Sequence, residues 1–129
     1  MRFCANVVCG PEGDAAAVLL RAGAVIDGLE TARQRRPAAR GDHDLARGPA
    51  KLMQVPGLDK SAYGTSLIDG TGSALLTPPP VGSASEVEAG PRVGATSAHD
   101  VTWRFWAKGD PTVSAYRRAG TRSRRAAAS

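Results

Sequence analysis

Few side chains in this sequence are spaced for chemistry, and the most telling is a lone cation. Arg21 ends the apolar run AAAVLLRA, where its guanidinium would lie beside a sheet face and require a carboxylate or phosphate partner. The plainer alternative is a strand-end arginine snorkelling to water, and the run alone leaves both open. His43, between Asp42 and Asp44, has the residue types of an acid–base site, and His99 precedes Asp100; a histidine in such an exposed loop is more commonly just solvated. Arg33, Arg35, Arg36 and Arg40 fall within eight residues that contain no acid. That patch suits phosphate contact, although a solvated helix face is the commoner outcome. Cys4 and Cys9 are an odd number of residues apart, which on a strand puts them on opposite faces, so they are read as two reduced structural thiols and not as a bridge or a shared metal site. The chain has no Gly-rich phosphate loop, HExxH, CxxC or GxSxG.

The elements that must position these residues are short. Arg2–Cys9 (RFCANVVC) and Ala15–Ala22 (AAAVLLRA), separated by Gly10, Pro11, Glu12, Gly13 and Asp14, read as a β-hairpin. Asp27 and Glu30 have the spacing of a capping box opening a helix over Gly28–Arg36, which Pro37 stops. Asp42–Gln54 reads as two helical pieces broken at Gly48, with Pro49 in a first helical position and Pro56 ending the second. From Gly57 to Gly90 periodicity is lost among Gly and Pro, giving a long irregular connection with one short strand and an apolar nub at Leu75 and Leu76. Arg92–Ala95 and Thr102–Ala107 then read as strands, the second with Trp103 and Phe105 on one face and Arg104 and Trp106 on the other. A turn at Gly109, Asp110 and Pro111 closes the ordered part, and after Ser114 the composition predicts disorder.

Composition bounds the whole. The chain has 129 residues, of which 23 are Ala, and Leu, Ile, Val and Phe together also number 23, so one modest domain is the most it can hold. No stretch approaches the roughly 18 consecutive apolar residues of a membrane helix and no signal peptide is evident, which favours a soluble cytoplasmic protein. The formal net charge of +5 invites a nucleic-acid reading. Yet through Pro111 twelve Lys and Arg balance all twelve Asp and Glu, and the excess comes from Arg117, Arg118, Arg122, Arg124 and Arg125. A chain ending at Tyr116 is therefore expected to lose nonspecific, salt-sensitive affinity while keeping any site-specific contact.

Four blocks in order, FCANVV, AVLLRAG with IDGLETAR, LARGPAKLMQ, and GPRVGATSAHDVTWRFWAKGDPTVSAYRR, resemble the bacterial form of the alkyladenine (3-methyladenine) DNA glycosylase family over nearly all of residues 1–118. The resemblance implies a mixed α+β fold, a single domain with a curved antiparallel β-sheet and peripheral short helices over residues 1–115, followed by an Arg/Ala-rich disordered tail at 116–129. It implies a monomeric, monofunctional glycosylase of base-excision repair that uses no metal and no other cofactor. Its partner would be double-stranded DNA containing a damaged purine, flipped into a pocket so that water attacks C1′ of the sugar.

By the same resemblance Arg21 helps hold that water, as does the main-chain carbonyl of Val93. Asn6 screens the edge of the flipped base, Leu19 lies near the same pocket, and Met1 and Arg2 fall on the DNA-binding side, to which the acid-free cation run adds Arg33, Arg35 and Arg36 as candidate contacts. Met1 falls on the methionine of the family's Tyr-Gly-Met stretch. The wedging tyrosine, the catalytic glutamate, the aromatic residues that sandwich the base and the pocket histidine would thus precede residue 1, and none of the twelve acids stands at the glutamate's place. Arg2 replaces a His or aromatic residue, Ser66 stands where the family tends to have Asp, and Pro56 interrupts a longer helix. The expectation is a C-terminal portion of such a glycosylase, inactive alone and with apolar surface uncovered on residues 2–9 and 15–21. Two alternatives are a non-catalytic DNA-binding remnant and a marginally folded basic chain that binds nucleic acid nonspecifically.

Overall fold

The computed structural model describes residues 2–98 and 100–119. Val7, Val8 and Val18 favour extended backbone, and they lie in the first two strands, β1 (Ala5–Val8) and β2 (Ala17–Leu20). The two pair antiparallel in the register Ala5↔Leu20, Asn6↔Leu19, Val7↔Val18, Val8↔Ala17. The expected hairpin is present. In β1, Ala5 and Val7 are half-buried while Asn6 and Val8 are exposed, and β2 is exposed along its whole length. Its apolar exposure is considerable, with Val8, Val18, Leu19 and Leu20 all reaching solvent.

Among the described residues no third strand joins this ladder. The Gly23 N–H donates to the Ala46 carbonyl at 3.3 Å, and Ala22 bridges to Arg47, so the segment around Ala46 covers that end of the ladder. Helix α1 spans Leu29–Arg35, close to the expected range, but the capping box does not form. Gly28 is the N-cap in the left-handed region, and the Asp27 carboxylate accepts from the adjacent Gly28 N–H at 2.8 Å. Glu30 approaches Arg33 and Gln34 along the helix and does not reach back. Asp27 sits one residue too early to cap.

A 3₁₀ turn at Asp42–Asp44 and helix α2 (Pro49–Gln54) confirm the two helical pieces. Gly48 sits between them with φ 133°, a backbone conformation side-chain-bearing residues rarely adopt, and Pro49 opens α2 where a missing N–H costs nothing. Helix α2 packs against β1 and β2. The core of this unit is small: Ala32, Leu45, Ala46 and Met53 are the buried apolar residues, and Leu45 is the one large side chain that is fully enclosed among the described residues. The connection from Gly57 onward is irregular as expected, organised by local turns in which Asp59 accepts from Ser61 and Asp69 from Thr71.

The expected curved sheet is absent among the described residues, which contain two separate two-stranded ladders. They belong to two compact units, one built on residues 2–84 with Pro111–Ser114 and the other on Ser85–Asp110 with residues 115–119. In the second unit β3 (Val87–Gly90) pairs antiparallel with β4 (Arg104–Ala107). The expected strand at Arg92–Ala95 is a turn instead: Pro91 lacks the N–H needed to continue the ladder, and Gly94 has φ 67°. The face assignment in β4 holds. Trp103 and Phe105 are 67% and 68% exposed, whereas Arg104 and Trp106 are half-buried, with the guanidinium 4.8 Å above the indole ring. The Trp106 indole N–H donates to Glu88 directly across the ladder at 2.8 Å. Its ring covers Gly90, where any Cβ would lie 2.7 Å from the ring edge. Residues 120–129, most of the segment expected to be disordered, lie outside the described residues.

Candidate nucleic-acid site

Antiparallel pairing places directly opposed side chains on one side of a ladder. Asn6 and Leu19 are such a pair, and both are exposed. Arg21 follows two residues after Leu19, at the end of the ladder away from the connecting loop. It is half-buried and makes no hydrogen bond or ion pair with another described residue, so the carboxylate partner its setting called for is not supplied there. Arg2 is exposed, and Met1 lies outside the described residues. Val93 is half-buried in the turn after β3, in the second unit, where the neighbouring Gly94 N–H donates to the Arg117 carbonyl at 3.2 Å. Cys4 and Cys9 are exposed free thiols. Of the two histidines, His99 lies outside the described residues and His43 is exposed.

The arginines of α1 have internal partners. Arg33 makes a two-pronged pair with Asp42, Nε at 2.9 Å and Nη2 at 2.8 Å, which raises the guanidinium's pKa and holds the Asp42 carboxyl below the usual range. Arg35 donates to the Val55 carbonyl at 2.7 Å. Arg36, largely enclosed, reaches the Leu45 carbonyl at 3.2 Å, Gln54 at 3.5 Å and the Asp44 carboxylate at 3.9 Å. These bonds tie α1 to the segments that follow it. The patch had looked free of acids because Asp42 and Asp44, just beyond it in the chain, fold back onto it.

Asp44 is the hub. It accepts from Lys51 Nζ at 2.7 Å and from the Arg40 N–H at 3.3 Å, and lies near Arg36. The Lys51 hydrogen bond, then that from Arg40, lowers its pKa against the opposing effect of burial. A carboxyl with a depressed folded-state pKa stabilises the fold above its unfolded value, about 3.9, and that contribution is lost as pH falls through the folded value. Thermal unfolding at graded pH should therefore show the gap between the native chain and Asp44→Asn narrowing below about pH 4. A gap unchanged down to pH 2 would contradict the assignment. Arg47 and Lys51, which sequence reasoning had not singled out, join this cluster; the charges inside LARGPAKLMQ were the available signal.

Residues 1–111 match the family model of the methylpurine-DNA glycosylases. This chain belongs to the methylpurine-DNA glycosylase family. Curated relatives that carry a 3-methyladenine DNA glycosylase name share 49% identity over 119 residues in Nocardia farcinica and 48% over 128 residues in Streptomyces avermitilis, covering 92% and 97% of this chain. A relative of the same name from Mycobacterium tuberculosis is 44% identical over 119 residues. The chain spans 56% to 60% of the length of these relatives. The family to which this glycosylase-family chain belongs consists of DNA N-glycosylases, hydrolases of base-excision repair. Its members bind damaged DNA. Among the described residues no helix is long and apolar enough to cross a membrane.

Proposed function

We propose that these residues form part of the base pocket and water site of a monofunctional DNA N-glycosylase acting on alkylated or deaminated purines flipped out of duplex DNA. The observation that carries the reading is the register of β1 and β2, which sets Asn6 against Leu19 with Arg21 following at the same ladder's end. Asn6 presents an amide whose donor and acceptor suit the edge of a purine, and Leu19 offers apolar surface beside it. The Arg21 guanidinium, half-buried without a protein acceptor among the described residues, has the donors to hold a water oxygen. The reaction breaks the bond between C1′ and the purine nitrogen as the water oxygen bonds to C1′, and a carboxylate takes the proton.

No Asp or Glu stands among Cys4, Asn6, Val8, Ala17, Leu19 and Arg21, the residues of the side on which Asn6 and Leu19 meet. By the family resemblance none of the twelve acids stands at the place of the base, so the chain taken alone is expected not to turn over. Work on DNA would favour a cytoplasmic, nucleoid-associated location, and a flipped nucleotide needs one copy of the domain, which favours a monomer.

Duplexes containing hypoxanthine or 3-methyladenine, with abasic sites revealed by alkaline cleavage, test both statements. The chain should bind the lesion duplex in preference to the undamaged one without excising the base, and Asn6→Ala should erase that preference. Multiple turnover by the chain alone would overturn the inactivity. Binding without lesion preference, indifferent to Asn6, would favour a non-catalytic DNA-binding remnant instead.

A further inference from the structure

The cations around Asp44 outnumber their carboxylate, and they share a cavity. Arg36, Arg40, His43, Arg47 and Lys51 line an open pocket of about 450 Å³ in which Asp44 is the single acid. Both Asp44 oxygens are engaged, Oδ1 by Lys51 and Oδ2 by Arg36 and the Arg40 main chain. One negative charge thus faces four permanent positive ones. The Arg40 side chain makes no hydrogen bond or ion pair with another described residue. Arg47 donates one Nη to the Val113 carbonyl at 3.0 Å, but its Nε is buried without an acceptor. A buried N–H of a cation left unbonded is costly, and an anion with several oxygens relieves it.

We propose that this pocket binds a phosphate group. Two guanidinium forks and an ammonium match an oxyanion that carries more than one acceptor face. The charged lining distinguishes the site from the mostly apolar clefts that hold small organic ligands. Arg33 and Arg35, by contrast, are bound to Asp42 and to the Val55 carbonyl and do not line the pocket, so phosphate contact belongs to the pocket and not to the exposed helix face. That the phosphate is one of the DNA backbone rests on the glycosylase reading above; the phosphate chemistry does not.

The test needs no excision activity. In the 129-residue chain, the Nε–Hε resonances of Arg40 and Arg47 are followed by NMR during titration with inorganic phosphate at constant ionic strength, then with a short undamaged duplex. Phosphate should shift both resonances saturably, and chloride at the same ionic strength should not. Displacement of phosphate by the duplex identifies the backbone as the source; saturable phosphate binding with no competition from duplex identifies the free anion. Arg40→Ala, whose side chain supports no bond in the fold, should weaken phosphate about tenfold, as expected for one charge-assisted hydrogen bond. Lys60→Ala, outside the pocket, should leave it unchanged. Resonances that do not move with phosphate, or that move equally with chloride, overturn the proposal, whatever the lesion assays show.

Discussion

Leu45→Ala is expected to abolish the cooperative unfolding of the first unit at ordinary temperature. Leu45 is 1% exposed, and the other buried apolar residues of the described chain are two alanines and Met53. Truncating a fully buried Leu removes its transfer free energy and leaves a cavity, together about 2 to 5 kcal/mol. A domain holds only about 5 to 15 kcal/mol in all, and one with so small a core belongs at the low end. The neighbours give the cavity few ways to close. Arg36 is bonded to the Leu45 carbonyl, Gly23 to that of Ala46, so backbone on two sides is fixed at this point. The measurement is chemical or thermal denaturation followed by far-UV circular dichroism. Leu75→Ala is the control: Leu75 is 53% exposed, and its truncation should cost less than about 1 kcal/mol. Equal effects of the two substitutions would mean that Leu45 does not anchor a core.

How much of this was legible in the sequence depends on whether the deciding interaction is local. The β1–β2 hairpin and the Gly48–Pro49 junction follow from residue type and spacing within about ten residues, and both are present. The capping box failed by one residue, because Gly28 in the left-handed region turns the Asp27 carboxylate onto its neighbour. A strand is expected at Arg92–Ala95 because its residue types suit one, and Pro91 and Gly94 are the overlooked breakers; the strand that pairs with β4 is Val87–Gly90, inside the connection where one short strand is expected. The candidate site divides likewise. Asn6, Leu19 and Arg21 could be placed on one ladder from the sequence, but their roles came from a family resemblance. The acid partners of Arg33 and Arg36 could not be read at all, because they arise from the chain turning back between Pro37 and Asp44.

The charge that makes the chain basic is separable from the pocket that recognises an anion. Replacing Arg117, Arg118, Arg122, Arg124 and Arg125 by Gln takes the formal net charge from +5 to zero. Each lysine or arginine that contacts a phosphate contributes about 0.9 to the slope of log affinity against log salt. Loss of all five should flatten that slope by about 4.5 if each contacts a phosphate, and lower nonspecific duplex affinity at low salt by about a hundredfold. Substitution is a cleaner experiment than truncation at Tyr116, because the Arg117 carbonyl accepts the Gly94 N–H beside Val93, and a glutamine keeps that carbonyl. Electrophoretic or anisotropy titrations at several salt concentrations give the slope. The lesion preference proposed for Asn6 and the phosphate binding proposed for Arg40 and Arg47 should persist in the neutralised chain, since those contacts are short-ranged and lie where acids and bases balance. If neutralisation removed both together, the specific contacts would depend on the basic C-terminal segment, and neither the β1–β2 ladder nor the Asp44 cavity would be a recognition site in its own right.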